Sequence, residues 1–266
     1  MQARSALFDV YGDYLRPRGG RAAVAALVRL LAPLGISAPA VRTAVSRMVR
    51  QRWLAPARLP GGPGYALTPR GTRRLDEAAA RIYRTADLRW DGRFDLVIVA
   101  EPVTRPARRR LAAALAFQGY APLGAAGWVA PRPGDEVDQV LAEQGVAYER
   151  LAAAHAAGPD GAAALVHRAW DLPALAAAYD GFVAELTPVV TVITEASPDE
   201  EAYAARCRLV HAWRGFLFRD PALPGELLPD PWAGTSAAAF FDAHAGRLRG
   251  AADRYVDRCL IRTDGP

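Results

Sequence analysis

The sequence predicts an α+β chain in three parts, and three observations predict it. Residues 1–84 read as three helical segments followed by a short hairpin. Residues 88–155 run strand, helix, two strands, helix, strand. From 159 to 266 the signals are helical throughout. With 266 residues, 52% of them hydrophobic, the chain can bury a substantial core in one large domain or two to three small ones.

The first helix is expected over about Ala3–Tyr14, where Leu7, Val10, Tyr11 and Tyr14 recur at helical spacing before RPRGG ends it. The second covers about Ala22–Leu34, with Val24, Leu27, Val28, Leu31 and Leu34 on one face and Gly35 as its C-terminal cap. The third begins at Ser37, whose hydroxyl is placed to accept an N–H of the first turn. Ile36 outside and Val41 inside suit a hydrophobic staple, and Pro39 is tolerated in a first turn. Trp53–Leu59 then reads as a strand, Pro60–Gly64 as a tight turn and Tyr65–Thr68 as the returning strand. An exit helix follows, capped by Thr68 and ending near Tyr83. Three helices and a hairpin, in that order, are the elements of a winged helix-turn-helix, whose recognition helix enters the major groove of DNA.

In the central part, Leu96–Ala100 is a buried-strand run, and TRPARRRLAAALAFQGY a helix with Leu111, Ala114 and Leu115 inward. APLGAAGWVAP follows as a hairpin, GDEVDQVLAEQG as a helix and VAYERLAAA as the closing strand. That βαββαβ order predicts a ferredoxin-like sandwich, a fold that hosts many functions. The last part holds two helices divided around Asp171–Pro173. A third is expected to be capped by Ser197, with Tyr203, Leu209, Val210, Trp213, Phe216 and Leu217 on its apolar face. A final helix follows the proline-punctuated PALPGELLPDPWAG.

Charge is distributed unevenly. Residues 1–84 hold fifteen Arg against four acids, or +11; the remainder holds eighteen Arg against twenty-four acids, or −6, which returns the overall +5. All 33 basic residues are arginine, so the choice of Arg over Lys carries no information, but the asymmetry of location does. A basic head on an acidic body suggests a polyanion partner. The charge concentrates in SAPAVRTAVSRMVRQRW (Ser37–Trp53), which has four arginines and no carboxylate. On a helical wheel Val41, Ala44, Val45 and Met48 gather on one side, while Arg42, Thr43, Ser46, Arg47 and Arg50 fill an opposite arc of roughly 140°. Solvated faces normally mix both signs; this one supplies only donors for phosphate oxygens and guanine edges. The expected DNA-binding set is Ser37, Arg42, Thr43, Ser46, Arg47 and Arg50, with Arg58 and Tyr65 flanking from the hairpin.

Several functions are disfavoured. No run of about twenty apolar residues spans a bilayer, and Asp9 and Asp13 interrupt the N-terminus where a signal peptide would be apolar, so a cytoplasmic protein is expected. Cys207 and Cys259 cannot build a disulfide framework. His155, His167, His211 and His244 lack zinc-ligand spacing, and no phosphate loop or nucleophile elbow is present, so neither metal, cofactor nor catalytic residue is expected. The alternative is a metal-dependent nuclease using Glu101 at the end of the first central strand, but one carboxylate without a partner is a poor metal site.

In order along the chain, LFDVYGDYLRPRGG, LVRLLAPLGIS, AVRTAVSRMVRQRWL, YALTPRG, WDGRFDLVIV and RDPALPGELLPDPWAG resemble the PaaX family of bacterial phenylacetate-catabolism repressors over nearly the whole length. The resemblance implies a winged helix over 1–84, a ferredoxin-like domain over 88–155 similar to a small CRISPR-associated nuclease, and a helical domain over 159–266. It implies a homodimer on a palindromic operator, released by an aryl-CoA thioester, phenylacetyl-CoA in the name-giving member. A regulator of another acyl-CoA or small acid is a further alternative on the same scaffold. A CoA thioester requires cations for its phosphates and an apolar slot for its acyl group. Trp90, Arg93, His211, Trp213 and Arg214 offer both kinds of group and are the effector-binding candidates.

Overall fold

A computed structural model of the chain describes residues 1–59, 62–83, 90–100, 104–134 and 137–261. Its elements begin with α1 (Ala3–Val10), β1 (Arg21–Ala23), α2 (Val24–Leu31), α3 (Ala38–Arg50), β2 (Leu54–Leu59), β3 (Gly62–Leu67) and α4 (Pro69–Ile82). Next come β4 (Phe94–Val99), α5 (Arg105–Phe117), β5 (Ala121–Leu123), β6 (Gly127–Ala130), α6 (Val137–Gln144) and β7 (Tyr148–Ala153). The chain continues through α7 (Gly158–Ala169), α8 (Leu172–Thr191), α9 (Asp199–Arg214) and α10 (Ala233–Ile261). Two compact units result: residues 1–86, 180–215 and 236–266 form the first, 87–179 and 216–235 the second. The helical stretch 159–266, expected as a third part, is divided between them. Among the described residues, no single helix is long and apolar enough to cross a membrane.

In the first unit, the opening helical segment is α-helical only to Val10; a π-helical turn covers Tyr11–Leu15 and a 3-10 turn Arg16–Arg18. The π turn, bonded i to i+5, buries Tyr11, Asp13, Tyr14 and Leu15 together. The second segment starts later than its periodicity suggests, because Arg21–Ala23 pairs antiparallel with β3 (Arg21 opposite Ala66, Ala23 opposite Gly64). The sheet order is β1-β3-β2, and Gly64 is required there: a Cβ would fall 2.6 Å from the Ala22 carbonyl oxygen. The core joins Leu7, Leu27, Leu30, Leu31, Val41 and Met48 to Tyr203 and Cys207 of α9 and to Ala252, Val256 and Cys259 of α10. Each fully buried leucine contributes about 1.5–3 kcal/mol. The expected cap Ser197 lies two residues before α9, one before the cap; Pro198 holds the cap position, and Ser197 Oγ accepts the Thr194 N–H at 3.0 Å.

In the second unit the sheet is antiparallel with strand order β5-β6-β4-β7. Alternation along β4 separates two apolar layers. Val97 and Val99 face Leu111 and Leu115 of α5 and Leu141 of α6, with Trp128 completing that core. Phe94, Ala121 and Val129 belong to the other layer, packed with Leu165 and Val166 of α7 and with Leu227. One carboxylate interrupts the first layer: Asp95 is buried, accepts a short hydrogen bond from Tyr120 Oη, and pairs with Arg150 Nε at 3.0 Å.

Candidate nucleic-acid interface

The position of α3 is set at its entry. Gly35 takes φ +75°, and backbone bonds from Gly35 N to Ala32 O (2.9 Å) and Ile36 N to Leu31 O (3.2 Å) close the preceding helix. The segments Val24–Leu34 and Ala38–Arg50 consequently meet at a bend of 120°. Ile36 and Val41 are both buried in one cluster, as a staple requires. Ser37 holds the N-cap position, but its side chain makes no capping bond and is exposed, which corrects the expected hydroxyl cap.

The wheel separates as its period requires. Val41, Ala44, Val45 and Met48 are the buried residues of α3, while Arg42, Thr43, Ser46, Arg47 and Arg50 are all exposed. Among the described residues, none of these five side chains has an intramolecular hydrogen bond or carboxylate partner, so every donor on the arc faces solvent. Beside α3, β2 and β3 pair from Leu54 opposite Leu67 to Leu59 opposite Gly62. β2 ends at Leu59 as expected, whereas β3 starts at Gly62 and so reaches further toward the turn than Tyr65–Thr68; Pro60 and Gly61 of that turn lie outside the described residues. Arg58 is exposed near the end of β2. Tyr65 is half-buried against the core, and its carbonyl accepts the Tyr11 hydroxyl at 3.1 Å. Thr68 Oγ1 caps α4, accepting the Gly71 N–H at 3.1 Å, as its position suggests.

Two arginines escaped the sequence reading. Arg52 is exposed with φ +58°, and Arg70 lies 4.6 Å over the Trp53 ring, which meets Phe8 edge-on at 5.4 Å. Helical periodicity in α3 ends at Arg50 and so assigns no face to Arg52, while Arg70 stands in the first turn of α4, where its place over Trp53 comes from tertiary packing.

The effector candidates divide by unit. Trp90 and Arg93 belong to the second: the Trp90 indole N–H donates to the Arg93 carbonyl at 2.7 Å, its ring meets Phe94 edge-on, and the Arg93 side chain is exposed. His211, Trp213 and Arg214 lie on α9 in the first unit. Trp213 is buried, stacked 4.9 Å from Phe241, and donates to the Ile82 carbonyl at 3.1 Å. His211 Nδ1 and Arg214 Nε lie 2.7 and 2.8 Å from the two carboxylate oxygens of buried Asp9, the second without hydrogen-bond alignment. Burial raises the Asp9 pKa, and the His211 and Arg214 contacts only partly oppose it. These three side chains thus have internal work to do. Burial also pushes the Cys207 thiol up to about 12, keeping it a neutral, small hydrophobe. Among the described residues, no group of His, Cys, Asp and Glu can hold a metal ion, and Glu101 lies outside them.

Two family models match the chain: that of PaaX-like proteins over residues 2–71 and that of the PaaX-like protein C-terminal domain over 170–258. The transcriptional repressor PaaX of Escherichia coli K12 is 32% identical over 245 residues, covering 88% of this chain and 76% of that protein. An uncharacterized protein of Mycobacterium tuberculosis has a similar solved fold, with TM-score 0.61 and 24% identity over 96% of this chain and 98% of that one. The class these matches define is that of transcriptional regulators. Within it, the chain belongs to the PaaX family.

Proposed function

We propose that the chain is an effector-responsive repressor that binds operator DNA through residues 1–84. The carrying observation is the exposed face of α3, which presents three guanidinium groups and two hydroxyls with no acid among them and no intramolecular partner among the described residues. The 120° bend between α2 and α3, across a short turn containing Gly35, falls in the range of helix-turn-helix units. The hairpin β2–β3 supplies the wing, with Arg58 at its exposed end. In this reading Arg42, Thr43, Ser46, Arg47 and Arg50 lie against the major groove, Ser37 meets backbone at the helix start, and Tyr65 steadies the wing from its half-buried position.

The order β5-β6-β4-β7, all antiparallel, supports a ferredoxin-like sandwich in the second unit. By analogy with its family the chain acts as a homodimer, two copies of α3 reading the halves of a palindrome about one helical turn apart. An aryl-CoA thioester such as phenylacetyl-CoA releases it. Trp90 and Arg93 keep accessible groups for such a ligand; His211, Trp213 and Arg214 would have to leave their present partners to meet it.

Electrophoretic retention of DNA from upstream of the regulated genes tests both halves. Arg42→Ala/Arg47→Ala should lose retention with an unchanged thermal midpoint, and adding phenylacetyl-CoA to the parent should release the duplex. Retention equal to the parent's in the double variant removes the α3 face from the reading.

A further inference from the structure

The end of α3 is closed by two backbone bonds, Trp53 N to Met48 O and Arg52 N to Val49 O, each 2.9 Å. This is the paired closure of a Schellman motif, and the residue in its left-handed position is Arg52, at φ +58°. Glycine is favoured there on steric grounds, because a Cβ at positive φ crowds the neighbouring carbonyl. Gly35 fills the equivalent place after the preceding helix.

Among the described residues, nothing accounts for an arginine at this point. Arg52 is exposed, and among the described residues its guanidinium has no hydrogen bond, ion pair or ring contact. Cations that suit the helix dipole are already present in the last turn as Arg47 and Arg50. The strained backbone is held in place: Thr68 Oγ1 donates to the Arg52 carbonyl at 2.7 Å. A further cation, Arg70, is fixed over the ring of the next residue, Trp53. A held, strained and unpartnered cation at the end of an acid-free helix face points to a partner outside the chain.

We infer that Arg52 is a phosphate clamp, contacting the sugar-phosphate backbone of a DNA duplex at the C-terminal end of α3. It contributes affinity and register but no base preference. The inference rests on the proposed reading of α3, so the two must be tested together.

Fluorescence anisotropy of the full chain with a labelled mixed-sequence duplex of about 30 base pairs, across a salt series, provides the measurement. Arg52→Gly relieves the backbone, so its thermal midpoint should stay level or rise. Its affinity should nevertheless fall about 3- to 10-fold, and its plot of log K against log salt should become shallower by about one. Arg52→Lys should keep most of the affinity and slope. Unchanged affinity and slope in Arg52→Gly overturn the clamp, as does a lowered thermal midpoint, which would show Arg52 serving the fold. If Arg42→Ala/Arg47→Ala loses binding while Arg52→Gly does not, only the clamp fails. If neither variant changes binding, the duplex reading of α3 fails with it.

Discussion

Asp13 and Arg206 form a buried ion pair in the first unit, their side chains 6% and 2% exposed. Taking both charges out of water costs several kcal/mol per ion, which is recovered only if the remaining donors and acceptors are satisfied. Here they largely are. Arg206 donates from Nε to the Ala245 carbonyl at 2.9 Å and from Nη1 to Tyr14 Oη at 3.0 Å and to Asp13, while Tyr83 Oη donates to the other Asp13 oxygen. Arg249 approaches that same oxygen at 3.5 Å. Burial works against the Arg206 charge, yet Tyr14, Asp13 and Tyr83 together raise its pKa, so the guanidinium stays charged. Truncating one member should therefore be worse than replacing both. Arg206→Met is expected to lower unfolding free energy by about 3–5 kcal/mol in urea titration, and Asp13→Asn/Arg206→Met to cost less than the sum of the single changes. Strict additivity of the two would mean that the pair is not coupled.

At the scale of elements, α9 and α10 are fastened by one carboxylate. Asp199, in the first turn of α9, binds Arg254 at 2.7 Å and Arg258 at 2.6 Å, residues one turn apart on α10. Those hydrogen bonds hold the Asp199 carboxyl below its usual 3.8. A carboxylate with a depressed folded pKa lends stability that is present above the unfolded value and lost as pH falls through the folded one. Asp199→Asn should therefore be less stable than the parent at neutral pH, and the two urea midpoints should converge as pH drops below 3.8. A gap that stays constant would assign the loss to something other than ionisation. This contact also marks the limit of what pattern reveals. The helices and longer strands were legible because each carries its own period, and the α3 arc was legible because burial on a helix follows that period. The strand Arg21–Ala23 was not, since three residues hold no period and only pairing with β3 makes them a strand. Nor was Arg52, whose meaning lies in a backbone angle.

For the whole molecule, chain order is a poor guide to which residues fold together. In the sequence Asp9 and Asp13 only interrupt an apolar N-terminus and show no partner, because His211 and Arg206 lie 202 and 193 residues away. The core under α3 is equally discontinuous: Tyr203, Cys207, Ala252, Val256 and Cys259 share one cluster with Leu7, Leu27 and Val41. Arg18 pairs with Asp253 and Asp257, and Arg29 Nη2 donates to the Cys259 carbonyl at 2.7 Å. Residues 1–84, which look like a self-contained head by element order, thus lack the helices that cover one side of their core and neutralise both buried acids. A fragment of residues 1–86 would expose that apolar surface, and at this size little stability is held in reserve. Such a fragment is expected to melt without a cooperative transition by circular dichroism and to bind duplex weakly, although it contains the whole α3 face. A cooperative melt near that of the full chain would show the head to be autonomous, and α9 and α10 to be attachments to it.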